Sequence, residues 1–242
     1  MEDKKVFFQG VSPKFTFTFG IMIGLSVISI VAFFVILFTD TCDGCTTATT
    51  NTNSAAAVVD DTAQDTTVDV SNLDITGAQV QGSGDIIIVE YSDFECSYCM
   101  SYHTTMEQIM KDYDGQVKWV WKHYPLSFHA NAETAAEAAE CAGEQNKFWE
   151  MAHELYANQT SLGESTYIEL AGELGLNATT YNTCLLADKF GDVFASDLTE
   201  GTALGVQGTP GSIIYKEGAS TGELVAGAYP YETVAAVIDS LL

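Results

Sequence analysis

Two cysteines separated by two residues, Cys96 and Cys99, lie in the stretch YSDFECSYCMSYH at residues 91–103. A pair at this spacing can close a small disulfide ring, supply two ligands to a metal ion, or pack in a core. The preceding apolar run, DIIIVEY, predicts a buried strand, and a helix is predicted from about residue 97 to residue 113. Unpaired N–H groups and the helix dipole would then stabilise a thiolate on Cys96. We therefore expect Cys96 to be the exposed nucleophile and Cys99 to be the resolving thiol.

A zinc site is the main chemical alternative for this cysteine pair. Zinc needs about four ligands, and no second C-x-x-C or histidine pair follows at a suitable spacing in the predicted domain. The sequence therefore favours redox chemistry with no metal and no cofactor. A purely structural disulfide remains the other alternative.

An uncharged apolar stretch near the N-terminus, FTFTFGIMIGLSVISIVAFFVILF, begins at Phe15 and ends at Phe38. As a helix it is long enough to cross a hydrocarbon core of about 30 Å, and it is longer than the apolar centre of a signal peptide. Lysines precede it and aspartates follow it, so the positive-inside rule places residues 1–14 in the cytoplasm. We predict a cell-membrane protein with one transmembrane helix at residues 15–38. Its catalytic domain would lie outside the cytoplasm, where disulfides can form.

The composition excludes one class of partner and indicates a tether. The net charge is -24, and no residue is arginine. Nucleic-acid binding is not expected, because it needs clustered basic groups. Residues 39–78 are rich in Thr, Asp, Ala, Ser and Asn and contain no aromatic residue. This composition is typical of disordered sequence, so we predict a flexible linker there and a folded domain at residues 79–242.

The predicted elements of that domain follow a recognisable order. After the first strand and helix, an alternating strand is expected at residues 117–123, which completes a β-α-β unit. A helical block at about residues 129–200 follows, with a break near Gly143 and a helix expected at residues 178–199. The stretch GSIIYKEGASTGELVAGAY reads as a hairpin, and YETVAAVIDSLL reads as a closing amphipathic helix. The fold class is therefore α/β.

Three segments, VEYSDFECSYC, HYPLSFHANAETAAEAAECAGEQNKFWEM and VQGTPGSIIY, together resemble the DsbA family of extracytoplasmic thiol-disulfide oxidoreductases. The resemblance covers roughly residues 79–242 and implies a thioredoxin-like fold with an inserted helical domain. The dipeptide between the cysteines, Ser97 and Tyr98, departs from the Pro-His of the best-known members. Because that dipeptide helps to set thiolate stability, the direction of electron flow stays open.

The resemblance also implies roles for residues outside the cysteine motif. Pro210 would be a cis proline whose loop packs against the cysteine pair, and Thr209 before it would contact substrate. Glu90 would lie beneath Cys99 as a proton acceptor, with a pKa raised by burial. The alternatives are an ordinary turn proline and a strand glutamate that faces solvent.

We also assign roles to the residues around the cysteine motif. Ser97 and Tyr98 are assigned to substrate binding, and Phe94 and Tyr98 are expected to form an apolar rim for unfolded clients. His103 lies one helical turn after Cys99. We expect it to be an ordinary surface histidine, with tuning of the site as the alternative.

Taken with the resemblance, these features predict an oxidase that donates the Cys96–Cys99 disulfide to the thiols of exported proteins. The resemblance further implies a quinone-linked membrane oxidase as the partner that regenerates it. Two alternatives remain open: a reductase or isomerase of the same fold, and a non-enzymatic chaperone or binding module.

Four further cysteines fall into two pairs. Cys141 and Cys184 lie on separate predicted helices, and in an oxidising compartment we expect them to form a structural disulfide; two buried apolar side chains are the alternative. Cys42 and Cys45 form a second C-x-x-C just after the predicted membrane helix. Neighbouring aspartates would raise their thiol pKa values. We expect a passive disulfide or an accessory thiol pair there rather than a required redox relay.

Overall fold

The computed structural model describes residues 66–242, which form a six-stranded mixed sheet with seven α-helices. In chain order the elements are β1 Thr67–Asp69, β2 Gln79–Gly82, β3 Ile86–Ser92, α1 Ser97–Asp112, β4 Val117–His123, α2 Ala132–Gly143, α3 Phe148–Ala157, α4 Glu164–Glu173, α5 Ala178–Ala187, α6 Gly191–Ala203, β5 Gly211–Lys216, β6 Thr221–Ala226 and α7 Tyr231–Leu241. The strand order across the sheet is β1-β6-β5-β3-β4-β2.

The central strand β3 is buried along its whole length. It pairs in parallel with β4 through the α1 crossover and antiparallel with β5 on its other side. Successive side chains of a strand point to opposite faces, so Ile86 and Ile88 pack in one hydrophobic cluster while Ile87 and Val89 pack in a second. This arrangement explains why residues 86–89 show no polar alternation: where a strand is covered on both faces, apolar side chains are favoured on both.

The five helices α2–α6 lie between β4 and β5 in sequence and form the helical insertion. A disulfide joins Cys141 on α2 to Cys184 on α5, with an S–S distance of 2.02 Å. The long helix expected at residues 178–199 is instead two helices, α5 and α6. Asp188 takes a positive φ of 45° at the break. The carboxylate of Glu137 then accepts hydrogen bonds from the backbone N–H groups of Lys189 and Phe190, which satisfies donors at the start of α6.

The predicted linker extends too far, because residues 66–78 belong to the fold. Thr67–Asp69 forms a strand that pairs antiparallel with β6 at the edge of the sheet. Val70 is buried, and the backbone N–H of Asp74 donates to the Glu200 carboxylate on α6. The pairing partner lies about 150 residues further along the chain, so the local composition that suggested disorder carried no sign of it.

The predicted cytoplasmic segment, the transmembrane helix at residues 15–38, the linker up to residue 65 and the Cys42/Cys45 pair all lie outside the described residues. Within residues 66–242, none of the helices combines the length and apolarity required to cross a bilayer.

Candidate active site

The cysteine motif lies where β3 ends and α1 begins. Cys96 is the N-cap residue of α1, with an extended backbone, and Cys99 lies within the first turn. The loop between strand and helix is held by Asp93, whose carboxylate accepts the backbone N–H of Glu95 at 2.7 Å and whose carbonyl accepts that of Cys96 at 3.1 Å. The side chain of Gln159, which follows α3, donates to the carbonyls of Phe94 and Cys96. The helical insertion therefore helps to fix the position of the reactive sulfur.

Cys96 lies against the loop that contains Thr209 and Pro210. Its Sγ atom is 3.4 Å from the Thr209 carbonyl oxygen, and the Thr209–Pro210 peptide bond is cis. A hydrogen bond from the Cys99 side chain is the largest cause that lowers the pKa of Cys96, to about 5, and the Thr209 side chain and the backbone of Cys99 and Tyr98 contribute further hydrogen bonds. Burial opposes this shift. Cys96 thus has the environment of a stabilised thiolate.

Cys99 has the opposite environment. It is fully buried, and burial raises its pKa well above the ordinary value; the hydrogen bond with Cys96 and the charges of Cys96 and Glu90 act in the same direction. Both cysteines are free thiols in the structure. The fold therefore holds an unequal pair, in which Cys96 is the ionised sulfur and Cys99 is the protonated one.

Glu90 is completely buried in β3, six residues before Cys96. Burial raises its pKa to about 7, while hydrogen bonds from Ser92 and Trp119 lower it. The indole Nε1 of Trp119 donates to Oε2 at 2.9 Å, and Oε1 has no partner within residues 66–242. Its charge also acts on the pKa of Cys99. Glu90 is therefore a buried carboxyl group that interacts with the second thiol, and it is not a solvent-facing glutamate.

The dipeptide between the cysteines is exposed. Ser97 and Tyr98 are both exposed, and 69% of the Tyr98 surface is accessible. Phe128, in the loop after β4, is 76% exposed. A groove of about 340 Å³ is lined by residues 205–211, which include Thr209 and Pro210, together with Leu224, Ala226 and Gly227. The exposed dipeptide and this groove are surfaces that a polypeptide could contact.

The expectation that Cys96 is exposed is wrong: 5% of its surface is accessible against 0% for Cys99, so it is the more accessible of two buried sulfurs. Two further sequence expectations near the motif are also wrong. Phe94 does not form a surface rim, because it is buried and its ring stacks on Trp121 with centroids 4.8 Å apart. His103 is not a surface histidine, because only 5% of it is exposed and its ring packs against Trp119 and Tyr156. Burial lowers the pKa of His103 to about 4, and the nearby His153 adds to this effect. Both errors arise because α3 covers the face of the motif, a contact that local sequence does not reveal.

Sequence reasoning also missed supporting residues. Ser92 shares a hydrogen bond of 3.0 Å with the Tyr156 hydroxyl and connects the Glu90 and Cys99 environments. Trp119 donates a hydrogen bond to Glu90. Gln159 donates to the carbonyls of Phe94 and Cys96 in the loop before α1. The available signal for Ser92 was a polar residue in a buried strand, two positions after Glu90 and therefore on the same face. Nothing in the sequence pointed to Gln159.

Comparison with known proteins agrees with this geometry. A family model described as thioredoxin matches residues 81–240. Among solved structures, the thioredoxin-like oxidoreductase from Silicibacter pomeroyi DSS-3 is 25% identical with a TM-score of 0.56, over 67% of this chain and 91% of that one. The thiol-disulfide exchange protein alpha-DsbA2 from Wolbachia pipientis is 20% identical with a TM-score of 0.59, over 67% and 86% of the two chains, and shows a shared fold.

A curated relative carries a different name. The chain is 36% identical over 162 residues to a protein named Na(+)/H(+) antiporter NhaA 3 from Salinispora tropica, and the match spans 64% of this chain but only 23% of that relative. The family follows from the matched thioredoxin region together with the mixed sheet and the cysteine motif. The chain belongs to the thioredoxin family.

Proposed function

We propose that this protein is an extracytoplasmic thiol-disulfide oxidoreductase that acts as an oxidase, donating the Cys96–Cys99 disulfide to thiols of exported proteins. The observation that carries the proposal is the unequal pair beside Thr209 and Pro210. A thiolate at a helix N-terminus with a protonated partner one turn inside is the arrangement that thiol-disulfide exchange requires. The exposed Ser97 and Tyr98 support access of a protein client.

The reaction begins from the oxidised Cys96–Cys99 pair. A client thiolate attacks Sγ of Cys96, so that a client–Cys96 disulfide forms while the Cys96–Cys99 bond breaks and Cys99 leaves with the electron pair. A second client thiol gives its proton to water and attacks the client sulfur of the mixed disulfide, and Cys96 leaves as a thiolate. The client gains a disulfide, and the enzyme pair gains the two electrons as one thiol and one thiolate.

Glu90 supplies the proton for the buried leaving group in this scheme. Expelling Cys99 as a thiolate inside the core would be costly, because its pKa lies well above the ordinary value. With a pKa of about 7, Glu90 is partly protonated near neutral pH and can give a proton to Cys99. In the reverse direction, the Glu90 carboxylate accepts the same proton.

The low pKa of Cys96 favours the oxidase direction. A stabilised thiolate lowers the free energy of the reduced enzyme and so makes the oxidised enzyme a stronger oxidant. It also makes Cys96 the better leaving group of the mixed disulfide. A reductase or isomerase of the same fold would use the same residues with a more reducing potential, and a chaperone would have no use for the unequal thiols.

The place of the reaction is proposed from the sequence. An anchor at residues 15–38 would tether the domain outside the cytoplasm, and a quinone-linked membrane oxidase would reoxidise Cys96 and Cys99. The lysine and aspartate distribution around the anchor supports this orientation.

A stoichiometric assay tests the proposal. Full-length protein with Cys42→Ser and Cys45→Ser, fully oxidised, is mixed with a reduced unfolded client, and client disulfides and enzyme thiols are counted by mass-tagged alkylation. We expect one client disulfide for each enzyme pair reduced. The matched Cys96→Ala variant should yield none. A client that stays reduced, or oxidation that persists without Cys96, would contradict the proposal.

A further inference from the structure

Three side chains able to bind a metal meet between α1 and α3, away from the cysteine pair. His103 and Glu107 lie one turn apart on α1, and His153 comes from α3. We propose that these three residues bind a divalent transition-metal ion of the zinc class. Neither the redox chemistry described above nor the sequence spacing called for such a site.

The ligand atoms already lie near the spacing of a tetrahedral site. Nδ1 of His153 is 3.2 Å from Oε1 of Glu107, and Nε2 of His103 is 3.8 Å from the same oxygen. All three ligand atoms lie within 4.8 Å of one another. Metal–ligand bonds of about 2.0–2.1 Å at tetrahedral angles place ligand atoms roughly 3.3 Å apart. Small side-chain movements are therefore enough to enclose an ion.

The buried imidazole of His103 supplies a second, independent observation. Within residues 66–242 it makes no hydrogen bond: Nδ1 has no partner, and Nε2 is too far from Glu107 to form one. A buried polar ring without partners is costly, and such groups in native proteins point to a missing water or ion. A metal ion bound to Nε2, which lies 3.8 Å from Oε1 of Glu107, would give that nitrogen a partner. The buried Nδ1 would then carry the proton and would still need a water as its acceptor.

The ligand set indicates the class of ion. Two imidazoles and one carboxylate suit zinc and its neighbours among the transition metals, whereas magnesium and calcium prefer oxygen ligands. Three protein ligands leave a fourth position for water. His103 and Glu107 line an open cleft of about 500 Å³, together with Gln81, Met110, Lys111, Asp114, Trp119 and Trp149.

One other group of potential ligands exists in the described part of the chain, formed by Glu137, Cys141 and Cys184. Its two sulfurs are joined in a disulfide and so cannot act as thiolate ligands. The His103–Glu107–His153 cluster is therefore the candidate that the geometry supports.

Zinc titration of the full-length protein tests the site. Since free thiols also bind zinc, the protein carries Cys42→Ser and Cys45→Ser and is kept oxidised at Cys96 and Cys99, with the absence of free thiols verified. Glu107 and His153 are about half exposed, so Glu107→Gln and His153→Ala leave the core intact. Glu133→Gln, which removes an exposed charge on α2, is the matched control.

By calorimetry we expect one zinc ion per chain. Glu107→Gln and His153→Ala should each weaken binding by at least about tenfold, the lower range for disturbing a metal site, while Glu133→Gln binds as the parent does. Co²⁺ should give a visible d–d absorption that His153→Ala abolishes, and excess Mg²⁺ should not compete. Absence of binding, or equal affinity in the parent and both ligand variants, would overturn the proposal.

Discussion

The Sγ atom of Cys96 lies 3.4 Å from the carbonyl oxygen of Thr209, a residue 113 positions further along the chain. A carbonyl accepts a hydrogen bond from the protonated thiol but offers nothing to the thiolate. The Thr209 hydroxyl is buried and has no hydrogen-bond partner within residues 66–242, and the interaction of this side chain with Cys96 lowers the pKa of the thiol. The hydroxyl is therefore a free donor that a Cys96 thiolate can use, whereas the carbonyl accepts only from the thiol.

The reactivity of Cys96 should follow a titration far below that of an ordinary thiol. Alkylation of the reduced protein, measured against pH by mass spectrometry of the Cys96 peptide, should show a midpoint near pH 5. Because this pKa is lowered, the stabilisation of the reduced form is complete above the pKa of an unfolded cysteine, about 8.5, and is lost as the pH falls through about 5. Thr209→Val should move the midpoint upwards. A midpoint near 8.5 in the parent protein would contradict the assigned environment.

Glu90→Gln should slow oxidation of a dithiol peptide by about a hundredfold near neutral pH, the lower range for loss of a general acid–base group. The expected cause is that Cys99 loses its nearby proton donor, whereas glutamine preserves the size and a polar partner for Trp119. Stopped-flow fluorescence at several pH values measures this rate. The parent rate should also decline as pH rises through about 7, where Glu90 loses its proton, and the variant should lack that inflection. Unchanged pH profiles would remove Glu90 from the mechanism.

Replacing one cysteine at a time should separate the two sulfurs. Cys99→Ala should accumulate client proteins in covalent adducts through Cys96, because no resolving thiol remains to release them. Cys96→Ala should accumulate none, because Cys99 has no accessible surface and burial raises its pKa well above the ordinary value, which keeps it protonated. Purification under non-reducing conditions, followed by reduction and identification of the released clients, measures both outcomes. Equal trapping by the two variants would show that the roles are assigned wrongly.

The Cys141–Cys184 disulfide should stabilise the domain without affecting its redox chemistry. It closes a loop with a sequence separation of 43, for which the chain-entropy model gives about 4 kcal/mol. The double variant Cys141→Ala, Cys184→Ala should lose about that free energy of unfolding in urea, with an unchanged reduction potential at Cys96 and Cys99. All three tryptophans, Trp119, Trp121 and Trp149, lie in the described fold, so their fluorescence reports on it. Native peptide mapping that finds two free thiols would refute the pairing.

The elements of the fold that depend on local sequence patterns could be predicted from the sequence. The buried run before Cys96, the helix after it and the later hairpin each have a periodicity or turn chemistry that a single segment displays. The helix expected at residues 97–113 is found at Ser97–Asp112. The β-branched run of β3 likewise predicted a strand covered on both faces.

The features that the sequence did not reveal all depend on distant partners. Strand β1 forms because β6 offers an open edge, and neither strand shows this alone. His103 is buried because α3 packs over it, and the same packing brings His153 to Glu107. The surroundings of Cys96, in particular the contact from Gln159, likewise come from the helical insertion, whose docking leaves no local pattern.

The reduction potential of the Cys96–Cys99 pair tests the central claim most directly. Full-length protein with Cys42→Ser and Cys45→Ser is equilibrated in glutathione buffers, and the thiols of the Cys96–Cys99 peptide are quantified by mass-tagged alkylation. The account predicts a value between about -180 and -120 mV, the range of disulfide isomerases and strong oxidases. A value near -270 mV, that of thioredoxin, would make the protein a reductase and contradict the account.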